Sequence, residues 1–230
     1  MEKKLFIVFF CLFLAGTVFA QNASTYSVAL TDDSAGVVIT AYNGNVTQIN
    51  IPTTLEGMPV KAIGPGAFKN KNSITKVVFP RGVTEIGEDA FQGCRNMTSI
   101  TLPDTLKKLG ARAFDTCGLT SITIPAGCTI IGESTFSNCS RLRTMILPRD
   151  LVNIPAGMFT RCEALHPVTL PETIKGIGAR AFADCRSLGT INVPATVEVI
   201  NFAPDVFEGC SKLNLAAQVV LKKLGYNGSF

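Results

Sequence analysis

Residues 119–139 read LTSITIPAGCTIIGESTFSNC, and this pattern occurs seven times between Pro52 and Cys210. Aligned on its proline, the unit is L-x-x-I-x-L-P-x-x-V-x-x-I-G-x-x-A-F-x-x-C-x-x, with a dominant period of 23 residues. The aligned prolines and the phenylalanine that follows each of them are Pro52, Pro80, Pro103, Pro125, Pro148, Pro171, Pro194, Phe68, Phe91, Phe114, Phe136, Phe159, Phe182 and Phe207. A fixed period of about 20 to 50 residues indicates a solenoid of stacked coils.

Each unit contains one segment that has the alternation of a half-buried strand. Ile122 and Ile124 are apolar and Thr123 between them is polar, so the two isoleucines are predicted to face the core. Pro125 ends this strand because it has no N–H to donate to a neighbour. Gly132 is expected to permit a backbone conformation that a side chain would forbid.

Successive coils are predicted to place their strands side by side, about 4.8 Å apart. Equivalent side chains then form ladders, with phenylalanine on phenylalanine and cysteine on cysteine. A single coil cannot bury its own apolar stripe, so the stability should lie in the contacts between neighbours. The expected architecture is a parallel β-sheet along one side of a stack that is otherwise mostly β and irregular.

Both ends of the stack need a cover, since an open sheet edge invites pairing with another chain. Residues 26–30 and 37–42 read as two strands joined by a turn, which predicts a β-hairpin cap over residues 21–45. About seven coils then occupy residues 46–212. Residues 213–230 are expected to form a helical cap, with an inward face formed by Leu213, Ala217, Val220, Leu221 and Leu224, and a stop at Gly225.

The first 20 residues have the features of a secretory signal peptide. Lys3 and Lys4 precede an apolar run from Leu5 to Phe19, and Val18-Phe19-Ala20 resembles a cleavage site. The run is shorter than the roughly 20 residues that a membrane span needs, and no later segment is long and apolar enough to provide one. We therefore expect an exported mature chain without a membrane span.

The charge of the mature chain argues against a nucleic-acid partner. The full chain has 21 basic and 17 acidic residues, and residues 1–20 contain two of the former and one of the latter. The mature chain thus has 19 basic and 16 acidic residues, a net charge of +3. This excess is small and scattered, whereas nucleic-acid-binding domains have clustered basic residues.

Six cysteines recur at one position of the coil, and Cys128 stands at an apolar position. Disulfides are permitted in an exported protein, and strand spacing lies within bridging range. Cysteine is also among the most readily buried side chains. Buried free thiols are the favoured prediction, with disulfides as the alternative. The recurring cysteines are Cys94, Cys117, Cys139, Cys162, Cys185 and Cys210.

Catalytic, metal and cofactor motifs are not evident in the sequence. Any histidine-based mechanism would have to use His166, which is the single histidine and is predicted to be exposed. The ladder cysteines are too far apart in sequence for a C-x-x-C zinc site. The glycines do not form a phosphate-binding loop between a strand and a long helix. We predict no enzymatic activity, no metal and no cofactor.

The exposed positions of the predicted strands form the candidate binding surface. Solenoids use such extended sheets to bind partners. The alternative is a solvated surface in which threonine is simply a good strand former. The candidate positions contain no tryptophan or tyrosine, which are frequent anchors of tight interfaces. The fifteen residues are Lys76, Val78, Thr98, Ser99, Thr101, Thr120, Ser121, Thr123, Arg143, Thr144, Ile146, His166, Thr169, Thr190 and Asn192.

The string I-P-x-x-V-x-x-I-G-x-x-A-F-x-x-C resembles the bacterial BspA-type, or Treponema-type, leucine-rich repeat. The opening GVVITAYNGNVTQINIPTTLEGMPVKAIGPGAF is similar to the first coil of that family, and the likeness covers residues 36–212. The resemblance implies an α/β-type leucine-rich-repeat solenoid. It also implies surface proteins that attach to host matrix proteins, host cells or other bacteria.

Several positions depart from the family pattern, and we expect these departures to be local changes in loops. Pro155 stands where most coils have glycine after the isoleucine. Thr135, Met158 and Val206 replace the small alanine, and Lys71 occupies the cysteine position of the first coil.

These observations predict an exported leucine-rich-repeat module for protein–protein interaction, and the resemblance implies an adhesin-like binder of host or neighbouring-cell proteins. Its partner would be a host matrix or cell-surface protein, or another bacterial surface protein. It would be secreted or held at the cell surface. The alternative is a periplasmic or envelope scaffold without a host-binding role.

Overall fold

The coils of this protein stack in one row between a hairpin at the first end and a helix at the last. The structure is a computed structural model that describes residues 25–230, so the predicted signal peptide lies outside the described residues. In chain order the strands are β1 Tyr26–Leu30, β2 Val37–Tyr42, β3 Gln48–Asn50, β4 Thr54–Leu55, β5 Met58–Ile63, β6 Lys76–Val78, β7 Glu85–Ile86, β8 Ser99–Thr101, β9 Lys108–Leu109, β10 Ser121–Thr123, β11 Ile130–Ile131, β12 Thr144–Ile146, β13 Asn153–Ile154, β14 Val168–Thr169, β15 Gly176–Ile177, β16 Ile191–Asn192 and β17 Asn201–Phe202.

The predicted strand of each coil is present, and these strands pair in parallel and in register in three groups, β3-β6-β8, β10-β12 and β14-β16. These leading strands come before the proline of each unit and are β3, β6, β8, β10, β12, β14 and β16. Lys76 lies opposite Ser99, and Ser121 lies opposite Thr144, both in parallel pairs. The alternation of buried and exposed residues along these strands places the isoleucines in the core, as predicted.

A second set of parallel strands was not predicted from the sequence. These trailing strands end at the isoleucine position of the Ile-Gly pair and are β5, β7, β9, β11, β13, β15 and β17. Glu85 pairs with Lys108 and Ile86 with Leu109 in this second sheet. The coil therefore has parallel strands on two of its sides, because the V-x-x-I segment is also extended and buries its apolar residues.

The seven phenylalanines form the stack that the repeat predicts. Neighbouring ring centroids are 4.8 to 5.8 Å apart, and their planes differ by 5° to 16°. The column continues into both caps. Tyr42 stacks on Phe68 at 5.1 Å, and Tyr226 meets Phe207 edge-on, also at 5.1 Å. One aromatic column thus runs through most of the core.

The glycine after the isoleucine has a different role from the one predicted for Gly132. A Cβ at Gly110 or Gly132 would lie 2.3 Å from a backbone nitrogen of the previous coil. Neither residue has a left-handed φ. That conformation is adopted two residues later, by residues such as Arg112 (φ 52°) and Ser134 (φ 55°). Glycine is therefore needed at these two positions because two backbones approach closely there, and the prediction based on φ was wrong.

The first cap has the strand bounds predicted for it. β1 and β2 form an antiparallel hairpin, and β2 runs parallel to β5, so the hairpin extends the trailing sheet. Within the turn, the side chain of Asp33 accepts a hydrogen bond from the amide of Ala35. The hairpin covers the first coil.

The last cap is a helix, α1, over Leu215–Lys223. The side chain of Asn214 accepts a hydrogen bond from the amide of Ala217 at 2.8 Å, and Gly225 follows the helix with φ 109°. Ala217 and Leu221 face the core. Val220 is 42% exposed and does not belong to the inward face predicted for it. No helix in residues 25–230 has the length and apolar character that crossing a membrane would require.

Candidate functional site

The candidate site is the outer surface formed by the leading strands and by the residues that immediately precede them. We call this surface the leading face. Of its fifteen predicted residues, fourteen are exposed and Thr190 is half-buried. The pleat of each strand directs alternate side chains outward, which explains this exposure. The strand register then places Val78 beside Thr101 and Thr123 beside Ile146. The structure thus brings the predicted residues together on one surface.

Backbone hydrogen bonds between coils fix the row of residues that immediately precedes the leading strands. The amide of Thr120 donates to the carbonyl of Thr98 at 3.3 Å. The amide of Arg143 donates to Thr120, and that of His166 donates to Arg143, at 2.9 and 3.0 Å. This row therefore has a preorganised backbone across four consecutive coils.

The polar side chains at the last end of the leading face bind one another. The amide group of Asn192 donates to the hydroxyl of Thr169 at 3.1 Å. The amide group of Asn214 donates to the hydroxyl of Thr190 at 3.3 Å. A partner at this end would compete with contacts that already exist.

The leading face has few charged and few apolar side chains among its hydroxyl groups. Lys76 and Arg143 are the charged members of the predicted set, which contains no carboxylate. Val78 and Ile146 are 36% and 61% exposed. A shallow cavity of about 470 Å³ lies beside Val78 and Thr101. The face is weakly basic, with two exposed aliphatic side chains among hydroxyls.

His166 has a contact that explains its position without catalysis. Its Nδ1 accepts a hydrogen bond from the amide of Gly189 in the next coil at 3.1 Å. Within the described chain, no acid or hydroxyl side chain is hydrogen-bonded to this imidazole. The arrangement that a nucleophile or general base needs is therefore not assembled around it.

The seven cysteines of the described chain are free and buried, as the favoured prediction has it. Each cysteine of the ladder donates its thiol to the carbonyl of a phenylalanine in the previous coil, at 3.1 to 3.2 Å. Burial raises the pKa of the Cys139 thiol to about 12, so the S–H remains in place as a donor. A reactive cysteine needs the opposite, a lowered pKa and some exposure. The ladder is structural.

Potential metal ligands do not converge in the described part of the chain. No group of three or more histidine, cysteine, aspartate or glutamate residues is placed there to hold an ion. What residues 25–230 present to a partner is an extended surface.

The parallel leading strands and the recurring aromatic and thiol ladders define a leucine-rich-repeat solenoid. The family model described as BspA type leucine rich repeat region matches six copies, over residues 39–110, 61–185 and 90–214. These matches cover well over half of the chain, which therefore belongs to the BspA-type leucine-rich-repeat family. This family is a repeat scaffold, and such repeat arrays typically serve protein interaction.

Solved structures resemble the chain over most of its length. The leucine-rich repeat protein of T. pallidum, TpLRR, is 33% identical, with a TM-score of 0.87 over 91% of this chain and 98% of its own. A leucine-rich repeat protein from Bacteroides ovatus is 23% identical, with a TM-score of 0.53 over 83% and 68%. The pneumococcal vaccine antigen PcpA is 24% identical, with a TM-score of 0.61 over 76% and 49%. The last two show the fold alone. No curated protein matches significantly.

The sequence did not predict a site on the outer surface of the trailing strands. Ile130 and Val152 are exposed there, at 60% and 40%. The signal that could have identified this region is Pro155, the proline at the usual glycine position. Pro155 directly follows β13, which ends at Ile154, so it lies in a loop as expected, at the edge of the second sheet.

Proposed function

We propose that this chain is an exported protein–protein interaction module that binds a protein partner through the leading face. The observation that carries the proposal is the alignment of the predicted exposed side chains on a preorganised row of parallel strands. A long repeat surface of this kind distributes binding over several coils. The affinity would come from several moderate contacts, because the face lacks large aromatic anchors.

The charges beside the leading face favour a partner with a neutral or acidic surface. Lys76 and Arg143 lie on the face itself. The turns that lead into its strands add three exposed basic residues, Arg95, Arg141 and Arg186. The same turns contain one exposed acidic residue beside them, Glu163, which approaches Arg186 at 4.0 Å. Charge complementarity would raise the association rate and make it depend on salt.

Attachment to host or neighbouring-cell proteins is the specific role we propose. The signal-peptide-like residues 1–20 support export, and membership of a repeat family suited to protein interaction supports binding. The alternative is a scaffold within the periplasm or envelope. Protease treatment of intact cells separates the two, because a surface-attached binder would be removed and a periplasmic scaffold would be spared.

The proposal is tested by capture of purified extracellular matrix and serum proteins on the immobilised mature chain. Replacing Thr101, Thr123 and Ile146 together by glutamate should reduce capture by about tenfold or more, because it adds charge and removes the exposed isoleucine. The matched control replaces Thr84, Thr196 and Val199 by glutamate, and these three residues are exposed but lie outside the leading face. Equal capture by parent and leading-face variant would place the binding site elsewhere.

A further inference from the structure

One link in the row that precedes the leading strands differs from the others. Along this row the backbone amide of each coil donates to the backbone carbonyl of the equivalent residue in the previous coil. Thr75 donates to Thr47 at 2.7 Å, and Thr98 donates to Thr75 at 3.1 Å. The same bond joins Thr120 to Thr98, Arg143 to Thr120, His166 to Arg143 and, at the last end, Asn214 to Gly189.

Gly189 makes a different bond from the other members of the row. Its amide donates to Nδ1 of the His166 side chain at 3.1 Å, and within the described chain it forms no bond to the backbone carbonyl of His166. The ring lies directly against this glycine, since a Cβ at position 189 would be 3.4 Å from Cε1 and 3.6 Å from Nδ1. An imidazole nitrogen therefore takes the place of a backbone carbonyl in this one link.

The link between His166 and Gly189 exists only while Nδ1 is unprotonated. A backbone N–H can only donate, so Nδ1 must accept, and the proton of the neutral ring is then on Nε2. In the imidazolium both nitrogens are donors, and two N–H groups would face each other across 3.1 Å. Protonation of the ring must therefore break this link, whereas the links to carbonyl oxygens do not titrate.

The other charged groups on the coils beside His166 keep their charges while an imidazole titrates. Carboxylates, guanidinium groups and lysine ammonium groups ordinarily remain ionised between about pH 5.5 and pH 8. Burial raises the pKa of the seven cysteine thiols, which therefore stay protonated. The charged residues beside the ring are Arg141 and Arg143 in the previous coil, Glu163 in its own coil, Arg186 in the next and Lys212 in the turn before α1.

Breaking this link would leave the two coils joined by their strands. β14 pairs in parallel with β16, and Val168 donates to Thr190 at 3.2 Å. The row continues past the link, because the amide of Asn214 donates to the carbonyl of Gly189 at 2.9 Å and Asn214 caps α1. The expected change is therefore local: it frees the exposed imidazole and the Gly189 amide next to the last cap.

We propose that the link between His166 and Gly189 is a pH-sensitive switch at the last end of the leading face. When the ring is neutral, it is held against Gly189 and the row is continuous. When the ring takes up a proton, it is released from Gly189, and the leading face gains a positive charge next to the coil of Arg143. The switch is a property of this chain and does not depend on the leading face binding a partner.

The test is an NMR titration of the full mature chain from about pH 8 to about pH 5.5, the range in which histidine ordinarily changes its charge. His166 is the single histidine, so its ring signals are unambiguous. At the higher pH its nitrogen shifts should place the proton on Nε2. As the ring becomes protonated, protection of the Gly189 amide from hydrogen exchange, relative to an unstructured peptide at the same pH, should fall about tenfold or more. The amides of Thr75 and Arg143, which donate to carbonyls in the same row, should keep their protection.

Two variants separate the acceptor from its titration. His166→Asn retains a side-chain oxygen that can accept a hydrogen bond but does not titrate. In this variant the Gly189 amide should be protected to the same degree at both pH values. His166→Ala removes the acceptor, so protection of the Gly189 amide at about pH 8 should be about tenfold lower than in the parent chain, with little further change at about pH 5.5.

The proposal fails if protection of the Gly189 amide stays constant while the ring of His166 titrates. It also fails if the neutral ring has its proton on Nδ1, or if His166→Ala protects the Gly189 amide as well as the parent chain does. A loss of protection spread along the whole row would contradict a local switch. Similar melting midpoints for parent and variants would show that the change at Gly189 does not reflect unfolding.

Discussion

Phe136 shows how one residue type connects neighbouring coils. Its ring stacks between Phe114 at 5.4 Å and Phe159 at 5.8 Å, with both neighbours tilted by only 5°. Its backbone carbonyl accepts the thiol of Cys162 from the next coil. Packing and hydrogen bonding therefore act across the same coil-to-coil contact.

We expect Phe136→Ala to lower the free energy of unfolding by about 3–5 kcal/mol, because the substitution leaves a cavity between two rings. Thermal and denaturant melting measure this change. Ile146→Ala is the control, since Ile146 is 61% exposed and should cost well under half as much. An unchanged midpoint for Phe136→Ala would argue against a phenylalanine column.

Gly110 tests the close approach of backbones between coils. A Cβ there would lie 2.3 Å from the backbone nitrogen of Glu88, which cannot move without shifting its coil. Gly110→Ala should therefore destabilise the protein by about 1–3 kcal/mol in denaturant melting. In the control Gly127→Ala, the new Cβ meets the flexible end of Lys107, and the cost should be small. Equal effects of the two substitutions would contradict the close-approach explanation.

At the scale of elements, the leading strands could be predicted from the sequence and the trailing strands could not. Each leading strand lies within a clear alternation, such as Ile122, Thr123 and Ile124, that ends at a proline. A trailing strand has only two residues in most coils, too few to show a period of two. Its strand character arises from pairing with adjacent coils, and a sequence pattern within one coil does not contain that information.

The surface beside the trailing strands contains an ionic ladder across three coils. Asp89 accepts hydrogen bonds from Lys69 at 3.0 Å and from Arg112 at 2.8 Å, and Arg112 also pairs with Glu88. Partial burial raises the pKa of the Asp89 carboxyl, but the contacts with Lys69 and Arg112 outweigh it. The pKa therefore lies below its ordinary value.

This lowered pKa makes the ladder sensitive to acid. Its stabilisation is complete above the unfolded pKa of about 3.9 and is lost as pH falls through the lower folded pKa. Asp89→Asn should cost about 1 kcal/mol at pH 7 and much less at pH 2. Denaturant melting at the two pH values measures the difference. Asp104→Asn, at a residue without an ion pair in the described chain, is the control, and a cost for Asp89→Asn that does not change with pH would contradict the assignment.

At the scale of the whole molecule, the leading face and the break in the second sheet differ in how far the sequence could predict them. The leading face follows from strand alternation, which is why all but one of its residues are exposed as predicted. The break in the second sheet between β11 and β13 adjoins Pro155, but the amides of Val152 and Asn153 also donate no backbone hydrogen bond to the previous coil. This break becomes visible only when the hydrogen bonds of neighbouring coils are compared.

The whole molecule is a linear array in which each coil is stabilised by its neighbours. The hairpin extends the trailing sheet at one end, and α1 covers the last coil at the other. Between them the repeats are similar enough in register that one complete unit should be removable. Removing half a unit would instead place phenylalanine positions against strand positions.

The most direct test of the stacked array is therefore deletion of one complete coil, residues 149–171, which joins Pro148 to Glu172 and preserves the 23-residue register. The comparison is deletion of residues 149–160, about half a coil. Melting followed by circular dichroism should show a cooperative transition for the complete deletion, at a somewhat lower midpoint than the parent chain, and none for the half deletion. Loss of folding after the complete deletion, or equal tolerance of both deletions, would contradict the account.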